Sequence, residues 1–209
     1  MRLSEKAYHL IKEKIISLEL DPLAVIDEQV LMDDLGLGRT PIREALHRLA
    51  AEGLVIIAPR RGMFVAEISI TDLQKIFEVR MLLEGFCARL AAARVTEGQI
   101  TQMEALLDEL SRVPEGDESS PALMSIDERL HRLMYEAADN EFLADSLDRL
   151  HALSMRLWYL VLDRMCNVRD AIEDHREIVA MLKAGDGEQA EALVQQHIAQ
   201  FQQEIRAVL

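Results

Sequence analysis

The chain has 209 residues and a formal net charge of −14, and half of its residues are hydrophobic although only 4% are aromatic. This length suits one large domain or two small ones, and an apolar content carried by Leu, Ala, Ile and Met favours helices. Cys87 and Cys166 are too few for a disulfide framework and too far apart for a C-x-x-C metal pair, so a reducing cytosol is expected. No signal peptide or membrane-spanning segment is recognisable, which predicts a cytoplasmic protein with no membrane partner.

The acidic charge is concentrated in the second part of the chain. Residues 1–68 carry a net charge of −2 and residues 69–209 carry −12, whereas residues 39–61 have a local excess of three positive charges. Attraction to phosphate acts within about 8 Å at physiological salt, so a local basic patch can bind DNA in an acidic protein. From charge alone, these arginines could equally form a solvated surface.

Residues 1–68 show the periodicity of three helices followed by a β-hairpin. The helices are expected at about residues 4–18, 27–35 and 40–53. Ser4 and Asp27 are the expected caps of the first two helices, and Val30, Leu31 and Leu35 are expected to face inward on the second. The runs "LVIIAP" and "MFVAEI" are typical of two strands, joined by a turn at "RRG". This order of elements predicts a winged helix-turn-helix.

A winged helix-turn-helix binds DNA by placing the N-terminal part of its third helix in the major groove. Arginine suits this helix because its guanidinium can donate two hydrogen bonds to one guanine edge. The expected DNA-contacting residues lie on the third helix and at the wing tip: Arg39, Thr40, Pro41, Arg43, His47, Arg48, Arg60, Arg61 and Gly62. For Arg48 a phosphate or a partner carboxylate is expected, and His47 could equally be solvated.

Two runs in this region closely resemble the GntR regulators, which are bacterial transcription factors with an N-terminal winged helix. The first run is "RTPIREAL" at residues 39–46, and the second is "RGMFV" at residues 61–65. The chain departs from the family at Gly38, where a serine is common, and at Leu23, where a glycine usually follows the proline. The resemblance implies that the partner is double-stranded operator DNA.

Residues 69–209 show helical periodicity throughout and no strand pattern of useful length. Six helices are expected, at about residues 71–91, 96–113, 122–138, 141–166, 168–182 and 187–209, with a loop at residues 114–121. The predicted protein is therefore mostly α-helical. It consists of a winged helix-turn-helix domain at residues 1–68 and an all-α helical-bundle domain at residues 69–209.

Four polar side chains lie on core-facing stripes of three of these helices. They are Asp127, His131, His175 and His197. A single histidine on an apolar stripe is usually a hydrogen-bonded core residue, but four such groups cannot each find a private partner in an apolar core. Burying an unpaired carboxylate costs several kcal/mol or forces its protonation. A shared divalent metal would satisfy all four; Zn is favoured, and Ni, Mn or Fe would also suit these ligands. The alternative is a buried Asp–His hydrogen-bonded network.

The same region resembles the FCD effector domain of FadR-like regulators. The resemblance lies in the D-x-x-x-H pattern of helix 122–138, in "EDHREIVAMLKAGD" and in the histidine of the last helix. It implies metal binding by one Asp and three His, at the four positions named above, and an arginine at position 80 in the effector pocket. An ion pair between Arg80 and Glu84 is the alternative. Further effector-pocket candidates are His151, which could also be exposed, Arg156 and Tyr159.

Together these features predict a transcriptional regulator that acts as a homodimer and responds to a ligand. The expected effector is a small carboxylate, such as a hydroxy, keto or sugar acid, bound directly to the metal. A metal hydrolase fused to a DNA-binding domain is a rival hypothesis, but no residue is placed as its base or nucleophile. A purely structural metal, with no effector, is a further alternative.

Overall fold

The computed structural model describes residues 2–114, 121–165 and 168–209. Most of the predicted loop at residues 114–121, as well as Cys166, lies outside the described residues. The chain groups into two compact units, one comprising Met1–Ile70 with Met155–Leu160, and the other Thr71–Ser154 with Val161–Leu209. The predicted boundary between residues 68 and 69 lies close to this division.

The N-terminal unit contains three helices and a small antiparallel sheet. Its elements are α1 (Leu3–Ile16), β1 (Val25–Ile26), α2 (Glu28–Leu35), α3 (Arg39–Ala51), β2 (Val55–Ala58) and β3 (Gly62–Val65). The strand order is β1-β3-β2, and Phe64 pairs with both Ile56 and Val25. The hairpin formed by β2 and β3 is the predicted wing. Strand β1 was not predicted, because a two-residue strand is too short to show alternation.

Helix α1 packs against α3 to form the core of this unit. Ile11 and Ile15 of α1 and Leu46 and Leu49 of α3 have no solvent exposure. A polar contact joins the same helices, since the Tyr8 hydroxyl donates a 3.0 Å hydrogen bond to a carboxylate oxygen of Glu52, which lies directly after α3. This packing fixes the position of α3, the helix that bears the arginines.

Two expectations for α1 and α2 are wrong, and one is confirmed. Asp27 caps α2 as predicted, because its side chain accepts hydrogen bonds from two backbone amides of the first turn. Ser4 is not a cap, since α1 begins at Leu3 with Arg2 at the N-cap position. Val30 does not face inward: it is 62% exposed, whereas Leu31 is 3% exposed. Consecutive residues on a helix lie about 100° apart, so a short helix packed on one neighbour buries only one of them.

The second unit is entirely helical over the residues described. Its seven α-helices in this part of the chain are α4 (Ile70–Arg94, which begins one residue before the unit), α5 (Glu97–Leu110), α6 (Pro121–Ala137), α7 (Glu141–Val161), α8 (Val168–Glu173), α9 (His175–Ala184) and α10 (Gly187–Val208). Side-chain caps begin three of them: Thr96 with a capping box, Asn140 and Asp186. Across the described ranges, no helix has both the length and the apolar character that crossing a bilayer requires.

The helix expected at residues 168–182 is divided into α8 and α9 at Asp174. At the break, the amide of Glu177 bonds to the Asp174 carbonyl three residues back, as in a 3₁₀ turn. His175 Nδ1 also lies 3.1 Å from the carbonyl oxygen of Ile172. The break therefore places His175 on the first turn of α9.

The burial of Leu31 and the exposure of Val30 on α2 can be tested by mutation. Replacing Leu31 by Ala should lower the free energy of unfolding by about 2–5 kcal/mol, because the change opens a cavity in the core. Replacing Val30 by Ala should change it by less than about 0.5 kcal/mol, because that side chain is exposed. Urea unfolding of both variants measures the difference, and equal losses would show that both side chains are buried.

Candidate functional site

The first candidate surface is the N-terminal half of α3. The helix begins after Gly38, which offers no side-chain cap, so the first amides of the helix stay without a side-chain acceptor. Arg39, Thr40 and Arg43 are exposed, and Pro41 lies within the first turn, where a missing N–H costs no helical bond. These predicted DNA-contacting residues therefore share one exposed end of the helix.

Two arginines of this surface are held by one carboxylate. Both oxygens of Glu28 lie 2.9–3.0 Å from Nε of Arg43, and one of them lies 4.0 Å from Nε of Arg39. Glu28 is the first residue of α2 and was not among the predicted site residues. The contact joins two helices across 15 residues, so no periodicity within a helix could reveal it.

Arg48 has the carboxylate partner that was one of the two predictions for it. Its Nε lies 3.4 Å from Glu52, and its guanidinium stacks 3.7 Å from the centroid of the Tyr8 ring. His47, on the same helix, is exposed. The structure thus ties Arg48 to the α1–α3 core and leaves His47 at the surface.

The wing tip consists of Arg60, Arg61 and Gly62, all of which are exposed. Arg61 N donates to the Ala58 carbonyl at 3.0 Å, which closes a tight turn. Gly62 has a φ of +106°, a conformation that residues with a Cβ rarely adopt. The turn needs this glycine, and it presents two arginines side by side.

The second candidate site is a buried cluster in the helical unit. Asp127 and His131 lie on α6, His175 on α9 and His197 on α10, and all four side chains are buried. One nitrogen or carboxylate oxygen from each lies within 4.8 Å of the corresponding atoms of the other three. The structure brings together all four residues that the sequence proposed as metal ligands.

Two imidazole nitrogens face each other in this cluster. Nε2 of His131 and Nε2 of His175 are 3.3 Å apart, and an Asp127 oxygen lies 3.8–3.9 Å from both. The ring of His197 lies 4.5 Å from that of His175, measured between centroids. Two nitrogens and a carboxylate oxygen therefore converge on one point.

The opposite nitrogens of these rings both face acceptors. Nδ1 of His131 lies 2.9 Å from a carboxylate oxygen of Glu84, and Nδ1 of His175 lies 3.1 Å from the Ile172 carbonyl. Such partners favour the proton on Nδ1 and leave a lone pair on each Nε2. Facing lone pairs and a carboxylate repel one another unless a positive charge lies between them. The donor set thus fits a divalent cation.

The ionisation states of the four cluster residues differ. Burial decides the pKa of two of the histidines, whereas neighbouring groups outweigh burial for His131 and Asp127. Burial lowers the pKa of His175 to about 4 and holds that of His197 well below its ordinary value, so both rings are neutral at pH 7. Burial also opposes the charges of His131 and Asp127. The carboxylates of Glu84 and Asp127 nevertheless raise the pKa of His131, and the surrounding histidines lower the pKa of Asp127. Asp127 is therefore a carboxylate, the form that binds metal.

Arg80 and Glu84 form the ion pair that was the alternative for Arg80. Both side chains are buried, and Nε of Arg80 donates a 2.6 Å hydrogen bond to Glu84. A second nitrogen of Arg80 donates to Ser154 at 2.6 Å. Burial opposes ionisation of Glu84, but Arg80 and His131 hold its pKa well below the ordinary value. Glu84 thus links the arginine to the histidine cluster. The four-residue spacing from Arg80 was the signal of this pairing.

The remaining effector candidates lie in two different places. Nε2 of His151 is 3.6 Å from Asp127, and burial lowers the pKa of His151 to about 4. Arg156 and Tyr159 belong to the stretch Met155–Leu160, which groups with the N-terminal unit. Arg156 is buried and donates a 2.5 Å hydrogen bond to the Ala66 carbonyl. A role of Arg156 and Tyr159 in an effector pocket stays a prediction.

A winged helix with an exposed arginine-bearing third helix, in one chain with a helical unit, is the organisation of a class of DNA-binding regulators. The family model described as bacterial regulatory proteins, gntR family, matches residues 3–65. The model of the FCD domain matches residues 75–200.

Several regulators are similar to this chain over most of its length. The chain is 26% identical to the HTH-type transcriptional repressor RspR of Escherichia coli (strain K12) over 205 residues, which cover 98% of this chain and 90% of that protein. It is 30% identical to a probable D-xylose utilization operon transcriptional repressor of Paenarthrobacter nicotinovorans, over 85% of this chain and 77% of the relative. The solved structure of E. coli McbR/YncC has the same fold, with a TM-score of 0.87 at 21% identity, over 99% of this chain and 98% of that one.

The chain belongs to the GntR family of bacterial regulators and carries an FCD domain. It is a DNA-binding transcriptional regulator and not an enzyme, as the sequence predicted. The predicted fold class, a winged helix-turn-helix followed by an all-α domain, is confirmed as well.

Proposed function

We propose that the operator affinity of this regulator is controlled by a small organic acid bound at a metal site in the helical unit. The observation that carries the proposal is the convergence of Asp127, His131, His175 and His197, with one donor atom each within 4.8 Å of the others. The contacts of Glu84 and Ile172 with the outer nitrogens support it, because they turn both Nε2 lone pairs toward the same point.

Zn is the favoured metal, and Ni, Mn or Fe would also suit three imidazoles and a carboxylate. A divalent cation held there would offer coordination positions to the oxygens of an acid. The alternative is a hydrogen-bonded network in which His131 carries a second proton, and the raised pKa of His131 is in its favour. Metal content decides between the two.

Charge within the unit indicates why an acid would depend on the metal. The positive charge of Arg80 is neutralised by Glu84 at 2.6 Å, and Asp127 adds a negative charge. His175, His197 and His151 are neutral at pH 7 because burial lowers the pKa of each. With neither a cation nor a second proton on His131, the cluster would repel a carboxylate rather than attract it.

A homodimer is the proposed assembly. Val79, Leu82 and Phe86 recur at three- and four-residue spacing on α4 and are 44%, 66% and 39% exposed. Such a stripe on a helix is suited to packing against a second copy. Two winged helices would then bind two half-sites of double-stranded operator DNA, and the protein would act in the cytoplasm, where that DNA lies.

The DNA interface is tested with two arginine variants, on an operator obtained by selection from random duplexes. Arg43→Ala should cost about 1–3 kcal/mol of binding free energy and relax the preference at one position of each half-site. Arg61→Ala should weaken all sequences alike and flatten the salt dependence, because a phosphate contact carries no sequence information. Gel-shift titrations that show no effect of either change would contradict the proposed interface.

The effector mechanism is tested by calorimetry with candidate acids on metal-loaded and on chelated protein. The His175→Ala, His197→Ala double variant should lose metal uptake and acid binding, whereas the exposed-histidine control His9→Ala should keep both. Metal at about 100 times its dissociation constant should stabilise the wild type by about 2.7 kcal/mol, and this gain should be absent from the double variant.

Two outcomes separate the alternatives to this mechanism. An acid that binds loaded and chelated protein equally tightly would show that the metal is only structural. A wild-type protein that takes up no metal would favour the Asp–His hydrogen-bonded network.

A further inference from the structure

Glu28 is an acidic side chain at the surface proposed to contact DNA. Its side chain is only 23% exposed, and both of its oxygens contact Nε of Arg43 at 2.9 and 3.0 Å. The same carboxylate lies 4.0 Å from Nε of Arg39. One negative charge is therefore shared by two arginines on the first turns of α3.

Stability of the fold gives no sufficient reason for this arrangement. The arginine side chains are 64% and 57% exposed, and an ion pair with exposed arginines contributes little to the stability of the fold. At the same time, a carboxylate beside a phosphate backbone weakens binding to every DNA sequence. Glu28 thus has a general cost for DNA binding that its contribution to folding does not explain.

The geometry of the contact leaves part of the guanidinium unused. Among the described residues, only Nε of Arg43 donates to a protein acceptor, which leaves Nη1 and Nη2 for a ligand. Reading a guanine requires two donors of one guanidinium, directed at O6 and N7 together. A free arginine loses rotamer entropy when it is fixed on a base, and a carboxylate that holds Nε beforehand reduces this loss.

We propose that Glu28 is a specificity-determining residue of the DNA interface, which positions Arg43 for a guanine edge and disfavours DNA that lacks it. A guanine accepts from Nη1 and Nη2 while Nε stays on Glu28, so the carboxylate remains paired. A phosphate that draws Arg43 away leaves Glu28 beside the backbone with only Arg39, at 4.0 Å, to balance its charge, which is unfavourable. The proposal rests on the proposed DNA interface. It concerns the preference for operator over other DNA sequences rather than the affinity for DNA as such.

The test compares full-length variants on the selected operator and on random duplex of equal length. Glu28→Gln removes the charge with little change of shape. Asp33→Asn is the matched control, because it removes one exposed carboxylate from the same helix that accepts only from Gln29 among the described contacts. Glu28→Asp keeps the charge and withdraws the carboxylate by one methylene. Circular dichroism and thermal unfolding show that each variant is folded.

Glu28→Gln should bind random duplex more tightly than the wild type, and its ratio of operator to random affinity should fall about tenfold or more. A second selection with this variant should lose the guanine at the position that Arg43→Ala also relaxes. Asp33→Asn should raise both affinities alike and keep the ratio. Glu28→Asp should lower the ratio while its affinity for random duplex stays at the wild-type level.

An unchanged affinity ratio for Glu28→Gln and Glu28→Asp would overturn the inference and make Glu28 a repulsive surface charge only. That result would leave the DNA interface itself intact. A wild-type selection that enriches no sequence would instead overturn the proposed interface, so the two failures are distinguishable.

Discussion

The helical unit depends on one constraint, which is the burial of four ionisable side chains at a single point. Asp127, His131, His175 and His197 come from α6, α9 and α10, and none is more than 8% exposed. Their lone pairs and negative charge converge, so they require a positive charge that they share. The break between α8 and α9 and the burial of Glu84 both serve this arrangement, since they orient the two facing rings.

The sequence predicted the fold and the members of this cluster for the same reason. Periodicity places each residue on a helix face, and a polar residue on an apolar face is visible without any structure, as His197 shows. Contacts between different helices or strands produce no periodic pattern in the sequence. The Glu28–Arg43 contact, the pairing of β1 with β3 and the exposure of Val30 depend on how helices and strands meet. The break at Asp174 was not predicted either, because the apolar periodicity continues from α8 into α9.

Both units contain an ion pair between an arginine and a glutamate. In each, an arginine expected to bind a ligand is held by a carboxylate of the protein, Arg43 by Glu28 and Arg80 by Glu84. In the exposed pair, the carboxylate leaves donors free for a base. In the buried pair, Glu84 neutralises the positive charge of Arg80 that would attract an acid. Glu84 also contacts Nδ1 of His131. The proposed effector therefore depends on the metal more than the sequence indicated.

Anomalous diffraction at a metal absorption edge, from crystals of the full chain purified without chelator, shows whether a metal supplies the positive charge that the four cluster residues share. We expect one strong peak within coordination distance of Asp127 and of the facing nitrogens of His131 and His175, with His197 beside it. Absence of a peak, together with a hydrogen bond between His131 and His175 and a second proton on His131, would contradict it. The positive charge at the centre would then be a proton.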